Sequence, residues 1–384
     1  MEDFHNLLIL MVVIWVMGKL FRMMSLPVIF GELLGGILVG PHLLGLVDPA
    51  SVSIKVLAEL GVFFLMLHSG LETDPHELFK GSKKSIFVAV GGLIGTFTAG
   101  FFTSQFLDFT FMQSLFIATV TSATSIAIAM RILKDCKIQN TQFGHTILGA
   151  AVLSDLVILI AFSAILELSQ TGNVDIMSLG LLLAKVIGFF AIVIFLGLKL
   201  QPYTKNFFKN KGFSSTLILA LLLGLFAEWI GLHAIIGAFL AGLFIREELL
   251  VGKVFNKIED RVYGLSYSFL GPIFFTTLAF NLDFKGIIDN PVIFISLFMA
   301  AFFGKLIGSG LGSLSLKTKP MKALLTGLTM NSRGALDLII ISLGLKAGII
   351  DQQTFSILVA IAFSATLISI IAMKPIKKRT KFKY

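Results

Sequence analysis

One carboxylate lies in a long, otherwise apolar part of the chain. Asp155 occurs in the segment GAAVLSDLVIL (149–159), inside an apolar run from about residue 142 to residue 168 that is long enough to cross a bilayer. At about 1.5 Å per residue, roughly 20 Å of helix would lie on each side of it. An intramembrane charge costs about 2.5–3.5 kcal/mol and marks a functional site by default. The sequence therefore predicts a site at Asp155, beside Ser154.

Two further segments place polar groups at the same expected depth. One hydroxyl in a membrane helix usually bonds back to the preceding turn. Five within seven residues instead favour a locally unwound segment whose freed carbonyls face a cavity. The segment ATVTSATSIAIAMRIL (118–133) contains Thr119, Thr121, Ser122, Thr124 and Ser125, and MNSRGALDLIII (330–341) contains Asn331, Ser332, Arg333, Gly334 and Asp337.

These residue types suit small cations and protons. Carboxylate, hydroxyl and carbonyl oxygens are hard ligands for an alkali cation, and desolvation disfavours an ionised carboxylate, which makes proton exchange feasible near neutral pH. We therefore predict that Asp155 binds H⁺ or a monovalent cation, mutually exclusively. A structural ion pair with Lys305 is the alternative for Asp155. For Asp337 the alternatives are a local pair with Arg333 and an accessory site.

Three other ionisable residues carry weaker signals. Glu32 and Glu72 are predicted to have interfacial or packing roles, and His68 is predicted to be a hydrogen-bonded helix residue, with a pH sensor as the alternative. No metal-ligand cluster, glycine-rich phosphate loop or nucleophile elbow occurs in the sequence, so we expect neither an enzyme nor a cofactor.

The composition indicates a membrane protein with many spans. Hydrophobic residues make up 56% of the 384 residues and charged residues 14%, with 38 Phe and 36 Gly, and the mean hydropathy is +0.93. Soluble domains do not have this balance. The single cysteine excludes an intrachain disulfide. No basic segment precedes the apolar residues 4–20, so they are predicted to be a retained first helix rather than a signal peptide.

Apolar windows predict an all-α polytopic membrane protein of about thirteen helices. Residues 1–374 form one transmembrane domain in this prediction, and residues 375–384 form a short basic tail. The predicted spans are 4–20, 27–46, 54–72, 84–106, 111–132, 142–168, 178–200, 213–230, 232–246, 263–282, 291–315, 321–345 and 354–374.

The basic residues orient these spans. Of the 31 lysine and arginine residues, 25 fall in loops on one predicted face or in the tail, and only Lys55, Lys285 and Lys346 fall on the other. The positive-inside rule then predicts a cytoplasmic C-terminus and an outside N-terminus in the cell (inner) membrane. The net charge of +9 is explained by this topology and by anionic lipid, so we expect no nucleic-acid partner.

Spans 2–6 and 9–13 are predicted to form an inverted repeat. VIFGELLGGI (28–37) matches AIIGAFLAGL (234–243), LGVFF (60–64) matches LGPIFF (270–275), and GGLIG (91–95) matches GKLIG (304–308). An offset of seven spans reverses direction in the membrane. Inverted repeats with paired interrupted helices are typical of secondary transporters, whose site lies at the midplane. Lys305 replaces Gly92 in the repeat, so we expect a charge there to have a function.

Eight motifs, in order along essentially the whole chain, resemble the monovalent cation:proton antiporter superfamily. The resemblance is closest to the branch with NapA-like and GerN-like sodium/proton antiporters, Kef-type systems and plant CHX-type exchangers. The motifs are GELLGGILVGP, LGVFFLMLHSGLE, TSATSIAIAMRIL, ILGAAVLSDL, IGLHAIIGAFLAGLF, GPIFFTTLAFNLD, FFGKLIGSGLG and MNSRGALDLIII.

The resemblance implies a thirteen-helix fold with interleaved dimerisation and core subdomains, and a core that crosses the barrier as an elevator. It implies that Asp155 is the ion- and proton-binding aspartate, with Thr124 and Ser125 in the unwound segment beside it. It also identifies Lys305 as the core lysine and Arg333 as the arginine of the second interrupted helix.

Two positions depart from the family pattern. NapA-like members have an acid where this chain has Ser154, and many members of the branch have Glu where it has Ala335, for which Asp337 is the nearest replacement. The expected function is exchange of Na⁺ or K⁺ for H⁺, by a homodimer in contact with membrane lipid and with a possible separate regulatory subunit. An uncoupled cation channel or regulator of the same fold, or an organic-anion carrier on a related fold, are the alternatives.

Overall fold

The structure is a computed structural model, and the residues it describes are helical or lie in turns and short connections. The described residues are 2–24, 26–41, 43–73, 83–171, 184, 188–189, 212–230, 232–248 and 253–379.

The described residues form α-helices that are numbered in chain order. They are α1 (Glu2–Met23), α2 (Val28–Val39), α3 (Val52–Glu72), α4 (Lys83–Phe106), α5 (Phe111–Thr121), α6 (Ile126–Asp135), α7 (Gln142–Thr171), α8 (Gly212–Trp229), α9 (Ala234–Glu248), α10 (Lys253–Leu265), α11 (Gly271–Leu278), α12 (Phe284–Asp289), α13 (Pro291–Leu314), α14 (Pro320–Met330), α15 (Ala335–Lys346) and α16 (Gln352–Arg379). A π-helical turn, Ser266–Leu270, joins α10 to α11.

Most of the predicted spans correspond to these helices. Within the described residues nine helices are long and apolar enough to cross a membrane, or ten if the bent pair α14 and α15 is one span. The predicted seventh span, 178–200, lies outside the described residues apart from three positions, so the count of thirteen stays a prediction. The last helix continues to Arg379, which makes the first half of the predicted tail helical.

Two predicted boundaries were wrong. The second span was expected to reach residue 46, but α2 ends at Val39 and Gly40 is extended, because a residue that precedes proline is disfavoured in the helical conformation. The tenth span was expected to begin at residue 263, whereas α10 begins at Lys253. The segment KVFNKIEDRVYGL is strongly amphipathic, and averaging its polar face into a hydropathy window hides the helix.

The chain divides into two compact units. Unit 1 consists of Met1–Asp74 and Asp175–Leu282, and unit 2 consists of Pro75–Val174 and Asp283–Tyr384. In unit 1, small residues bring helices together: a Cβ atom on Gly70 would collide with the Phe239 carbonyl of α9, and one on Gly242 would collide with the Leu67 carbonyl of α3. Such close backbone approach is how small residues hold membrane helices together.

In unit 2, α4 and α13 pack through glycines that the repeat had matched. Gly91 and Gly308 leave no room for a Cβ atom on either helix, and Gly95 contacts Gly304 and Gly308 in the same way. The neighbouring Gly92 lies beside the side chain of Lys305, with 3.6 Å between the position of a Cβ atom and Lys305 Cδ. Glycine at position 92 leaves space for Ser309 of α13, because a Cβ atom there would collide with the serine hydroxyl but would be at an ordinary contact distance from Lys305.

The substitution Gly308→Val should separate α4 from α13. Overpacking of a tight interface costs about 1–3 kcal/mol, so we expect a lower thermal unfolding midpoint of the purified protein in detergent. The control is Ile307→Ala on the same helix, because Ile307 is 54% exposed. An unfolding midpoint for Gly308→Val equal to that of the control would show that this interface does not stabilise unit 2.

Candidate functional site

Both helices that were predicted to be interrupted are broken within the membrane-depth segments of unit 2. Residues 122–125 separate α5 from α6, and residues 331–334 separate α14 from α15, which are bent by 45° relative to each other. Each break leaves the carbonyl end of one short helix and the amide end of another without bonds of their own. In a membrane these groups must find partners within the protein.

The two breaks bond to each other. The backbone amide of Ser125 donates to the Ser332 carbonyl at 2.8 Å, and the Ser332 hydroxyl donates to the Ser125 carbonyl at 3.3 Å. The Thr124 hydroxyl donates to the Met330 carbonyl at 2.9 Å. Gly334 contacts Ser125 so closely that a Cβ atom would collide with the serine hydroxyl. The crossing is thus held by contacts that depend on Thr124, Ser125 and Ser332.

Two cationic side chains bind the carbonyl end of α5. The Lys305 ammonium donates to the Ser122 carbonyl, and Arg333 Nη1 donates to the carbonyls of Val120 and Ala123, each at 3.2 Å. Lys305 is fully buried and Arg333 is 2% exposed. A helix C-terminus carries a partial negative charge and unpaired carbonyls, so both cations are stabilised there.

Asp337 lies at the opposite kind of helix end. Its Oδ2 accepts a hydrogen bond from the Gly334 amide at 2.7 Å and so caps the start of α15, where the helix dipole favours negative charge. Among the described residues, no salt bridge within 4 Å joins Arg333 to Asp337. Their charges still act on each other, while their hydrogen bonds go to two broken helix ends.

Asp155 is buried on α7 at 3% exposure. Its Oδ1 atom has no hydrogen-bond partner among the described residues. Lys305 and Asp337 are close enough for their charges to interact with its carboxylate, although no Lys305–Asp155 pair within 4 Å is found in the described part of the chain. The neighbouring Ser154 hydroxyl donates to the Ala150 carbonyl of its own helix at 2.9 Å.

The remaining predicted residues have mainly structural contacts. The hydroxyls of Thr121 and Ser122 bond back to α5 at 2.7 Å, and Asn331 Nδ2 donates to the Phe302 carbonyl at 2.7 Å. Sequence reasoning missed Thr366 of α16, whose hydroxyl accepts from the Arg333 amide at 2.8 Å. A single threonine in an apolar helix gives no sign that it bonds to a distant break.

Comparisons with known proteins identify the family of the chain. Residues 7–378 match the family described as sodium/hydrogen exchanger, transmembrane. The chain belongs to this family. It is therefore a multi-pass membrane transporter, and the resemblance seen in its motifs is confirmed.

Individual relatives match this chain over nearly its whole length. The chain is 31% identical to the probable Na⁺/H⁺ antiporter GerT of Bacillus cereus over 93% of this chain and 94% of that protein. It is 30% identical to the Na⁺/H⁺-K⁺ antiporter GerN of the same organism over 96% and 94%. Its fold matches the sodium proton antiporter MjNhaP1 from Methanocaldococcus jannaschii with a TM-score of 0.75 and 17% identity, covering 97% and 96% of the two chains.

The substitution Thr124→Val should weaken the crossing while keeping the side-chain shape. It leaves the buried Met330 carbonyl without the hydroxyl that it accepts from, which costs about 1–3 kcal/mol, so the thermal unfolding midpoint should fall. Thr98→Val is the matched control, because that hydroxyl is exposed and bonds only within α4. Equal midpoints for the two variants would show that the Thr124 contact does not hold the breaks together.

Proposed function

We propose that the chain is a secondary antiporter that exchanges Na⁺ or K⁺ for H⁺, and that the two ligands compete for Asp155. The names of the relatives support the substrates: GerT is named for Na⁺ and H⁺, and GerN for Na⁺, H⁺ and K⁺. The observation that carries the assignment is the buried Asp155 carboxylate, whose Oδ1 has no hydrogen-bond partner among the described residues while both neighbouring cations are held by carbonyl groups.

The charges around Asp155 support a simple competition. Lys305 and Arg333 contribute two positive charges, and Asp155 and Asp337 two negative charges when ionised. Asp337 Oδ2 accepts from the Gly334 amide, although its Oδ1, like Asp155 Oδ1, has no hydrogen-bond partner among the described residues. The capping bond ties Asp337 to the start of α15, so we assign ligand exchange to Asp155. A proton removes its charge, and a bound cation balances it.

Coupling follows from the unloaded state. Moving an ionised Asp155 through the barrier without a ligand leaves a charge unbalanced, at a cost of the order of 2.5–3.5 kcal/mol. We further propose that Lys305 alternates between the Ser122 carbonyl, its partner in this structure, and Asp155 in the empty site. Either ligand displaces the lysine back to the carbonyl, and the site crosses as part of unit 2.

The cellular setting in this proposal is the cell membrane, with the N-terminus outside and the C-terminus cytoplasmic. Its support is the distribution of basic residues, 25 of 31 on one predicted face. Assembly as a homodimer is likewise part of the proposal and is supported by the family resemblance.

The substitution Asp155→Asn should abolish pH-dependent exchange in everted vesicles or proteoliposomes. Asparagine neither takes up a proton nor balances a cation, and an uncompensated cation at this depth costs about 2.5–3.5 kcal/mol, or about 100-fold in affinity. We expect the exchange rate to fall by at least that factor for Na⁺, K⁺ and Li⁺.

Asp108→Asn is the matched control. Asp108 is exposed in unit 2 and has a positive φ of 62°, a conformation that asparagine also adopts readily. This variant should exchange ions at the wild-type rate. Exchange retained by Asp155→Asn would overturn the assignment, and cation flux without counter-movement of protons in the wild type would make the protein a channel.

The substitution Ser154→Asp tests the departure from two-acid relatives. A second carboxylate next to Asp155 adds a charge within the field of Lys305, so we expect the pH dependence and the response to an imposed voltage to change. Ser154→Ala removes only the hydroxyl that bonds to Ala150 and should keep the wild-type voltage response. Identical behaviour of the aspartate variant and the wild type would mean that Lys305 does not sense position 154.

A further inference from the structure

Unit 1 contains a second buried group of ionisable side chains that the proposed exchange does not use. His68 and Glu72 are one turn apart on α3, Tyr263 belongs to α10, Tyr267 belongs to the π-helical turn, and Glu32 belongs to α2. All five lie within unit 1. The sequence alone favoured packing roles for the acids and a hydrogen-bonded role for the histidine.

The imidazole of His68 is enclosed by aromatic rings. Its side chain is 2% exposed. The Tyr267 ring meets it edge to face at 5.1 Å between centroids, and the Tyr263 ring is tilted against it at 5.4 Å. Nδ1 of His68 has no hydrogen-bond partner in the described part of the chain, contrary to the expectation from sequence.

The nearest acceptor to that nitrogen is a carboxylate. Glu72 Oε1 is 3.8 Å from His68 Nδ1, which is too far for a hydrogen bond but within reach of an ion pair if the imidazole is protonated. The charges of Glu72 and of Glu32, which is 4% exposed, also act on Tyr267. Glu72 and two phenols thus lie next to the imidazole, and Glu32 lies within electrostatic reach of one of these phenols.

The local backbone holds this arrangement in place. The Ser266 hydroxyl, in the π-helical turn, donates to the Phe64 carbonyl of α3 at 2.7 Å, which fixes the turn against the helix that carries His68. Turns of this width inside helices occur frequently at functional sites, because the extra residue changes which side chains share a face. Tyr263 and Tyr267, which are four positions apart, both contact the imidazole.

Other ionisable side chains lie on the described helices around this group. On α10, Glu259 is half-buried and Lys257, Asp260 and Arg261 are exposed, and Glu59 of α3 is exposed. The stretch of α9 from residue 234 to residue 245 and the whole of α11 contain no ionisable side chain. On α1, Lys19 lies over the Trp15 ring at 5.3 Å and Arg22 is exposed, while Asp3 binds Ser51 near the start of α3.

We propose that His68 and Glu72, enclosed by Tyr263 and Tyr267, form a second proton-binding site that is separate from Asp155. A proton taken from water onto His68 Nδ1 attracts the Glu72 carboxylate, one turn further along α3. In the sequence Glu72 is followed by Lys80, Lys83 and Lys84, so the predicted topology puts this end of α3 on the face where basic residues are concentrated. The proposal that this site controls the exchange rate rests on the proposed function, whereas the proposal that it binds a proton does not.

Direct titration tests the binding site without any transport. The full chain, labelled at its six histidines and held in lipid nanodiscs, is titrated by NMR, and His68→Gln identifies the signal. We expect this signal to titrate, with a midpoint that Glu72→Gln moves by about half a pH unit or more. His5→Gln, at an exposed position of the same unit, should remove a different signal. A His68 signal that does not titrate, or that ignores Glu72→Gln, overturns the proposal.

Exchange measurements test the regulatory role. Glu72→Gln and His68→Gln should each move the pH midpoint of exchange by about half a unit or more and leave the half-saturating Na⁺ concentration at the optimum unchanged. The double variant should show no further shift. Exchange that keeps the wild-type pH profile in both variants overturns the regulatory role. Titration of His68 in Asp155→Asn separates this result from failure of the exchange assignment, because the NMR signal does not depend on transport.

Discussion

Every backbone amide and carbonyl at membrane depth needs a partner within the protein, and this requirement organises unit 2. Two helices are broken at residues that are buried or nearly buried in the structure, and the freed backbone groups must be satisfied there. The two breaks form hydrogen bonds with each other, between Ser125 and Ser332 and between Thr124 and Met330. The carbonyl end of α5 and the amide end of α15 bind charged side chains instead. The cationic Lys305 and Arg333 bind at α5, and the anionic Asp337 binds at α15.

The charged residues of the site are placed by those helix ends. Lys305 and Arg333 approach α5 from two different helices because its last carbonyls converge there. Asp337 folds back onto the first amide of its own helix. Since the cations have carbonyl partners, the site does not require Asp155 as a permanent counter-ion. The protein thereby keeps a buried carboxylate near two positive charges without locking it into a pair.

Local sequence patterns predicted the broken helices well, because several hydroxyl, amide and glycine residues within a few positions of an apolar span favour an unwound segment, whereas a single one does not. Hydropathy did less well at helix ends: it extended α2 beyond a Gly-Pro pair and missed the amphipathic start of α10. The hydrogen-bond partners of individual side chains could not be predicted from the sequence. Whether Ser154 turns to Ala150, or Lys305 to Ser122, depends on side-chain rotamers and on contacts between residues as far apart as 183 positions. The enclosure of His68 likewise depends on Tyr263 and Tyr267, which lie far away in the chain, so the local sequence does not predict it.

The bond from Thr124 to Met330 spans 206 positions of the chain, and this separation has a consequence for biosynthesis. At about 5–20 residues per second, the second break emerges roughly 10–40 s after the first. During that interval the carbonyls and amides around residues 122–125 lack the partners that the finished protein supplies. The first half of the chain must therefore wait in the translocation machinery, or beside water and lipid headgroups, until the second half arrives. The candidate ion site can therefore form only late in synthesis, after both breaks have been made.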